Sequence, residues 1–223
     1  MPVAVITGAS RGLGLALARA LAGEGWSLVL DARDGTALQA SAPTGAVVVP
    51  GDVTQAGHRA QLRRCAAELG GLDLLVNNAS YLGPSPQPHI ADYPERELRR
   101  VYEVGVFAPL ALIRELLSLM RKGTILNITS NAAREPYEGW GGYGSAKAAL
   151  EQATAVLAVE HPDLRVQALD PGDLRTQLQQ EAFPGQDISD RPLPETVVPA
   201  ILQLLGLPSG RYRAADLLTE SAR

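Results

Sequence analysis

Residues 3–14 read VAVITGASRGLG, and this stretch decides the fold of the chain. The apolar run Val3–Thr7 predicts a buried strand, and the three glycines after it predict a tight turn into a helix. Glycines at a strand-to-helix turn let the backbone approach a pyrophosphate and aim helix N–H groups at it. The same glycines would also suit a tight turn that binds nothing, so this stretch alone leaves both interpretations open.

The rest of the chain alternates short β-rich runs with longer helical runs, which predicts parallel strands joined by helices. Strands are expected at Val3–Thr7, Ser27–Leu30, Ala46–Val49, Leu72–Asn77, Thr124–Thr129, Arg165–Leu169 and Ala214–Leu218. Helices are expected through Leu13–Leu21, Gln55–Leu69, Glu95–Met120, Ser145–Val159 and Glu195–Leu205, with loops at Gly83–Pro88 and Pro171–Pro194. We therefore expect one α/β domain over residues 1–223. It is a doubly wound, Rossmann-type parallel sheet of seven strands, with ligands at the strand ends.

Composition argues against several other classes of protein. A net charge of −4 and a pI of about 5.4 give no basic surplus to neutralise the phosphates of a nucleic acid. No apolar run approaches a membrane span, and Cys65 is the only cysteine, so no internal disulfide can form and a cytoplasmic location is expected. The three histidines are scattered singly and no carboxylate cluster has ligand spacing, so no metal site is expected.

Tyr143 and Lys147 place a phenol and an ammonium four residues apart. Residues at this spacing share one face of a helix, so both groups can point into one cleft. A fixed cation near a phenol favours the phenolate and lowers its pKa, which prepares the tyrosine for proton exchange with an alcohol. Only two of the 20 basic residues are lysines, so Lys147 departs from the arginine preference of the chain. The alternative is a chance pair on a solvated helix face.

Ser130 ends the fifth predicted strand, 13 residues before Tyr143. Its position at the strand tip predicts that the hydroxyl faces the same cleft, where it can hold a substrate oxygen against Tyr143. A serine that only caps the strand is the alternative.

Together these motifs resemble those of the short-chain dehydrogenase/reductase family. The glycine turn resembles the family's Thr-Gly-x3-Gly-x-Gly motif, and Ser130, Tyr143 and Lys147 match its catalytic trio. Residues 77–80 resemble its Asn-Asn-Ala-Gly turn, with Ser80 in place of the last glycine. Residues 171–176 resemble its Pro-Gly-x3-Thr segment, which contacts the nicotinamide side of the cofactor.

The resemblance implies an NADP(H)-dependent oxidoreductase that acts on a small-molecule carbonyl or alcohol and associates as a homodimer or homotetramer. Tyr143 would be the general acid/base, while Ser130 positions the oxygen and Lys147 tunes the tyrosine and holds the ribose. The cofactor contacts implied are Gly8, Ser10, Arg11, Gly12, Leu13, Gly14, Arg33, Asp52, Val53, Asn78, Ala79, Tyr143, Lys147, Pro171, Gly172, Leu174 and Thr176. For the Asp52 side chain, capping of the following helix is an equal alternative to adenine binding.

The choice of NADP over NAD rests on the end of the second strand. Family members that prefer NAD commonly carry an acidic residue at the position that is Ala32 here, and Arg33 follows it. Arg33 can pair with the additional phosphate of NADP in a bidentate fashion, and Arg11 can close on the same phosphate. A shift of one residue would instead make Asp31 the acid that selects NAD, although strand alternation opposes this.

One departure from the family concerns the helix before the fifth strand. Many members place an asparagine there that shapes a local helix distortion holding a water beside the lysine, and Gly105 occupies that position here. A glycine permits a distorted backbone but lacks the side chain. A catalytically slow NADP(H)-binding regulator or sensor is therefore the alternative function. The substrate is open: the aromatic residues in Arg134–Trp140 favour a flat or apolar molecule, or simply pack.

Overall fold

The computed structural model describes residues 1–220 and contains a parallel seven-stranded sheet. The strands are β1 (Val3–Ile6), β2 (Ser27–Ala32), β3 (Val47–Pro50), β4 (Leu74–Asn77), β5 (Thr124–Ile128), β6 (Arg165–Asp170) and β7 (Gly210–Arg213). They pair in the order β3-β2-β1-β4-β5-β6-β7. This confirms the predicted fold class.

Helices cover both faces of the sheet. They are α1 (Gly12–Gly23), α2 (Gly35–Ser41), α3 (Ala56–Glu68), α4 (Glu95–Tyr102), α5 (Ala108–Leu116), α6 (Gly141–Glu160), α7 (Gln177–Ala182), α8 (Val198–Leu204) and α9 (Ala214–Glu220). A π-helical turn, Glu103–Phe107, joins α4 to α5. A short 3-10 helix, Leu117–Leu119, follows α5.

The central strand β1 shows how the sheet builds two cores. Ala4 and Ile6 are buried on one face with α1 and α8, whereas Val3 and Val5 are buried on the other face with α3 and α5. Because successive residues of a strand point to opposite faces, a continuous apolar run is what a strand covered on both sides requires. The run therefore fixes β1 in the interior, and with it the position of the glycine turn.

The predicted strand Ala214–Leu218 is wrong, because these residues form helix α9. Ala214 and Leu217, three residues apart, are buried under the sheet, which is helical spacing. The seventh strand is Gly210–Arg213 instead, an edge strand with no apolar run to identify it. The strand prediction therefore took the apolar residues of a short helix for a buried strand.

Three other elements differ from the sequence predictions. The helix expected over Glu95–Met120 is interrupted by the π-helical turn, and the loop expected over Pro171–Pro194 contains α7. Helix α2 was not predicted. Its start is capped by the Asp34 carboxylate, which accepts a hydrogen bond from the backbone N–H of Ala37 at 2.9 Å.

Candidate active site

A cleft of about 1250 Å³ opens at the carboxyl edge of the sheet. It lies where β1 and β4 are neighbours and the chain leaves the two strands in opposite directions, which separates the covering loops. The loops after β1 to β6 form its walls. Every predicted site residue except Gly14 borders this cleft.

The three glycines of the turn meet two demands, a positive φ and close packing. Gly8 and Gly12 adopt φ values of +66° and +56°, which side chains disfavour. At Gly14, a Cβ atom would lie 2.5 Å from the carbonyl oxygen of Gly8 and 2.6 Å from the side-chain Nδ2 atom of Asn78. Gly14 therefore allows α1 to pack against the turn, and the N-terminal end of α1 is left open toward the cleft.

The glycine turn is hydrogen-bonded to the residues that follow β4. The Asn78 side-chain amide donates to the carbonyl oxygens of Thr7 and Gly8 at 2.9 and 3.1 Å. The Thr7 hydroxyl in turn accepts the backbone N–H groups of Asn78 and Ala79 at 3.0 Å. Sequence reasoning placed Asn78 among the cofactor contacts and omitted Thr7 from the site. In the structure, both side chains organise the turn.

At the end of β2, Arg33 is exposed at the cleft, whereas the Asp31 side chain is bound to a histidine. The Asp31 carboxylate is buried and lies 2.5 Å from the Nε2 atom of His58 on α3. Burial raises the pKa of Asp31, while the hydrogen bond and charge of His58 lower it. With its carboxylate bound to His58, Asp31 is poorly placed to accept hydrogen bonds from a ribose.

Asp52 and Arg11 both have protein partners. One Asp52 oxygen accepts hydrogen bonds from the backbone N–H and hydroxyl of Thr54 at 2.9 and 2.8 Å, so it shapes the turn before α3 without capping the helix itself.

The Arg11 guanidinium donates to the Gln177 side chain on α7 and lies 3.5 Å from the Asp34 carboxylate. Arg11 therefore connects the glycine turn to α7, a contact that sequence reasoning missed.

Tyr143 and Lys147 lie on the first two turns of α6, at the floor of the cleft. Both are buried, at 7% and 2% exposure. The Lys147 ammonium donates to the Ile128 carbonyl at 2.8 Å and lies 5.4 Å from the centre of the Tyr143 ring. The geometry therefore brings the phenol and the ammonium together, as their spacing predicts.

The pKa values of this pair are governed by burial. Burial raises the pKa of Tyr143 to about 12. The charge of the Asp170 carboxylate also raises this pKa, whereas the Ser80 hydroxyl lowers it. Burial also lowers the pKa of Lys147 to about 8. This differs from the expectation that Lys147 lowers the pKa of Tyr143, because the loss of water around the phenolate is the largest effect on that pKa.

Ser130 lies at the end of β5, beside the same cleft. Its hydroxyl donates to the Asn131 side-chain oxygen at 3.2 Å and accepts the backbone N–H of Ala132 at 3.2 Å. It thus caps the short 3-10 helix Asn131–Ala133. The position at the cleft is the one expected for the substrate role, while these hydrogen bonds cap the helix that follows and not the strand.

The segment after β6 closes the near side of the cleft. Pro171, Gly172 and Leu174 border it, and Gly172 has a φ of +76°. The Thr176 hydroxyl caps α7 by accepting the Gln179 backbone N–H at 3.2 Å, and the Thr176 methyl group lies beside Gly12. The glycine turn and this segment therefore meet across the cleft.

Sequence reasoning also missed an ionic network behind the cleft. The Arg211 guanidinium on β7 lies 2.9 Å from the Glu151 carboxylate on α6 and 3.4 Å from the Asp170 carboxylate. Arg134 and Thr129 also bind Glu151. None of these residues carries a local sequence signal, because the groups come from distant parts of the chain.

Apolar and aromatic side chains surround Tyr143. The Trp140 ring lies 5.9 Å from the Tyr143 ring and 6.1 Å from Phe183, and its edge meets Tyr137 at 6.4 Å. Leu82 also packs against Tyr143. The aromatic residues noted before Tyr143 thus pack together, and Trp140 also borders the cleft.

Gly105 lies in the π-helical turn, next to α6. A Cβ atom at this position would meet only the Ala146 methyl group, at 3.6 Å. The helix distortion is therefore present although the asparagine is absent. The structure therefore has room for a Cβ atom at residue 105.

We expect Gly105→Asn to leave kcat and the KM for cofactor within a few-fold of the natural values, because the backbone distortion already exists. Steady-state kinetics of the natural chain, Gly105→Asn and Gly105→Ala would check this, with the alanine variant controlling for the added Cβ. Thermal melting should show Gly105→Ala no less stable than the natural chain, since glycine within a helix costs about 0.5–1 kcal/mol relative to alanine. A large gain in kcat confined to the asparagine variant would contradict this expectation.

Over residues 1–220, no cluster of three or more histidine, cysteine, aspartate or glutamate side chains could hold a metal ion. None of the helices in this range is long and apolar enough to cross a membrane.

Comparison with known proteins agrees with this fold. The short chain dehydrogenase family model matches residues 2–187. The chain therefore belongs to the short-chain dehydrogenase family.

Two relatives and one solved structure show the extent of the similarity. The chain is 36% identical to a sepiapterin reductase of Meriones unguiculatus, covering 81% of this chain and 77% of the relative. It is 30% identical to the L-fucose dehydrogenase of Rattus norvegicus, covering 99% and 83%. A Shigella flexneri short chain dehydrogenase complexed with NADP is 26% identical, with a TM-score of 0.88 over 96% of this chain and 97% of that one.

Proposed function

We propose that this chain transfers a hydride between NADP(H) and the carbonyl or alcohol carbon of a small molecule, with Tyr143 as the general acid/base. The observation that carries the proposal is the buried pair of Tyr143 and Lys147 at the floor of the cleft, with Ser130 at the same edge. Family membership supports an oxidoreductase, and the NADP complex of the Shigella flexneri protein supports the choice of cofactor.

The residues present fit a dinucleotide. The glycine turn leaves backbone and the open N-terminal end of α1 at the cleft, which suits a pyrophosphate. We assign the adenosine end to Arg33, Asp52 and Val53, and the nicotinamide end to Tyr143, Lys147 and the segment after β6. The bound nicotinamide would supply or accept the hydride, which no side chain can do.

At neutral pH, Tyr143 carries its proton, because burial raises its pKa to about 12. It can therefore donate that proton to a carbonyl oxygen as the carbon is reduced. Lys147, with a pKa of about 8, remains mostly cationic and stabilises the phenolate that is left. Ser130 would hold the substrate oxygen after exchanging its Asn131 partner for the substrate.

The rival function, a slow regulator or sensor, depended on the loss of the asparagine at position 105. The π-helical turn beside α6 is retained, so that reason for slow catalysis is weakened. NADPH consumption with a panel of ketones, aldehydes and quinones tests the proposed enzyme directly. Steady turnover with any of these substrates supports it, whereas tight NADPH binding without turnover would support the sensor.

Selection of NADP is tested at Arg33. We expect Arg33→Ala to lower kcat/KM for NADPH by about 10- to 100-fold, because a hydrogen-bonded charge pair contributes roughly 1.5–3 kcal/mol. The value for NADH should hardly change. Steady-state kinetics with both cofactors measures this, and Arg64→Ala is the matched control, since Arg64 is an exposed arginine on α3. A natural preference for NADH, or an unchanged preference in Arg33→Ala, would refute the assignment.

We also propose that residues 1–223 act as one domain in the cytoplasm and form a homodimer or homotetramer. The support for association is the exposure of large apolar side chains in the π-helical turn and on α6. Phe107 is 56% exposed, and Val156 and Val159 on α6 are 45% and 82% exposed.

A further inference from the structure

Ser80 places a hydroxyl at the cleft that none of the chemistry above uses. It follows β4, and its Oγ atom is buried without a hydrogen-bond partner among residues 1–220. Buried polar groups are nearly always paired, so an unpaired one in a cleft calls for an explanation. Replacement by an apolar side chain would remove the cost of burying it.

The sheet register relates Ser80 to Ser130. Asn77 of β4 pairs with Asn127 of β5, so each serine stands three residues beyond the paired positions. Both serines border the cleft together with Tyr143. Leu82, two residues after Ser80, belongs to the same buried apolar cluster as Tyr143. The loop after β4 therefore runs beside the phenol.

The two hydroxyls differ in their hydrogen bonds. The Ser130 hydroxyl is engaged by Asn131 and Ala132, whereas the Ser80 hydroxyl retains its donor. Burial raises the pKa of Tyr143 to about 12, and Ser80 is the side chain that lowers it. A donor near the phenol stabilises its ionised form.

We propose that Ser80 is a positioning residue for Tyr143, whose hydroxyl donates a hydrogen bond to the Tyr143 oxygen when that oxygen is ionised. The inference rests on the proposed function. In carbonyl reduction the carbon receives a hydride and its oxygen takes the Tyr143 proton, which leaves a phenolate in a buried site. The Ser80 donor stabilises that phenolate until it regains a proton from solvent. In alcohol oxidation the same donor stabilises the phenolate that accepts the proton.

Ionisation of Tyr143 can be measured without turnover. The ultraviolet phenolate signal of the NADP-loaded protein is followed against pH, and subtraction of the Tyr143→Phe curve removes the other five tyrosines. The comparison is made at the highest pH at which circular dichroism is unchanged in every variant. We expect Ser80→Ala and Ser80→Gly to show less Tyr143 phenolate there than the natural chain. Ser80→Thr, which keeps a hydroxyl, should retain more than either.

The kinetic test uses oxidation of the alcohol that corresponds to the best substrate of the panel. Within the pH range where circular dichroism is unchanged, kcat at a given alkaline pH should be about tenfold or more lower in Ser80→Ala, with the KM for NADP unchanged. The melting temperature should not fall, because the hydroxyl removed has no partner in the structure. Equal phenolate fractions and equal pH profiles in the natural chain and Ser80→Ala would overturn the inference. That result would leave the proposed function intact. Absence of turnover in the natural chain would overturn the function, and the phenolate comparison would then decide the role of Ser80 by itself.

Discussion

Tyr143→Phe is expected to lower kcat by about 10²–10⁴-fold, the usual loss when a general acid is removed. NADPH affinity should remain nearly unchanged. The phenylalanine ring keeps the packing of Tyr143 against Leu82 and Trp140, so only the proton donor is lost. Stopped-flow or steady-state turnover with the best substrate of the panel measures kcat, and NADPH fluorescence measures affinity.

Tyr212→Phe is the control for this substitution. It also removes one phenol hydrogen bond, from Tyr212 to the Pro208 carbonyl at 2.9 Å, but on the edge strand β7. Its turnover should match that of the natural chain. Near-normal turnover in Tyr143→Phe would mean that another group donates the proton, and the mechanism proposed here would be incorrect.

Lys147→Arg is expected to abolish most turnover and also to weaken cofactor binding. Lys147 is 2% exposed, and its ammonium donates to the backbone carbonyl of Ile128. A guanidinium is larger and planar and brings five N–H donors, most of which would be buried without acceptors. It also holds its proton too tightly to take part in a relay. We expect a fall in kcat of ~10²-fold or more, within the range for loss of acid–base catalysis.

The chain supplies a matched control for this substitution as well. Lys122 is the other lysine and is exposed before β5, so Lys122→Arg should leave kcat, KM and melting temperature unchanged. Kinetics and NADPH titration of both variants form the measurement. Normal turnover in Lys147→Arg would show that any fixed cation suffices at this position, and would remove lysine from the proton chemistry.

The features predicted well from sequence are those encoded locally. The apolar run of β1 and the glycines that follow it specify a strand, a turn and a helix within 12 residues. The spacing of Tyr143 and Lys147 specifies a shared helix face. Parallel connectivity then brings the ends of neighbouring strands to one edge, which is why separate motifs meet at one cleft.

The features missed are those that depend on contacts between distant residues. Asp31 and His58 are 27 residues apart, and nothing in either neighbourhood indicates that they pair in the interior. The burial that controls the pKa values of Tyr143 and Lys147 is likewise set by packing across the whole domain. Strand β7 escaped prediction because an edge strand needs no apolar run, while the short helix after it does contain one.

The position of the two lysines has a practical consequence. Lys147 is enclosed at the carboxyl edge of the sheet, whereas Lys122 is exposed where the chain enters β5, at the opposite edge. A reagent that couples to lysine side chains will therefore attach at Lys122. Molecules immobilised through that amine on a sensor chip or an electrode should share one orientation, with the cleft turned toward the solution and open to diffusing compounds.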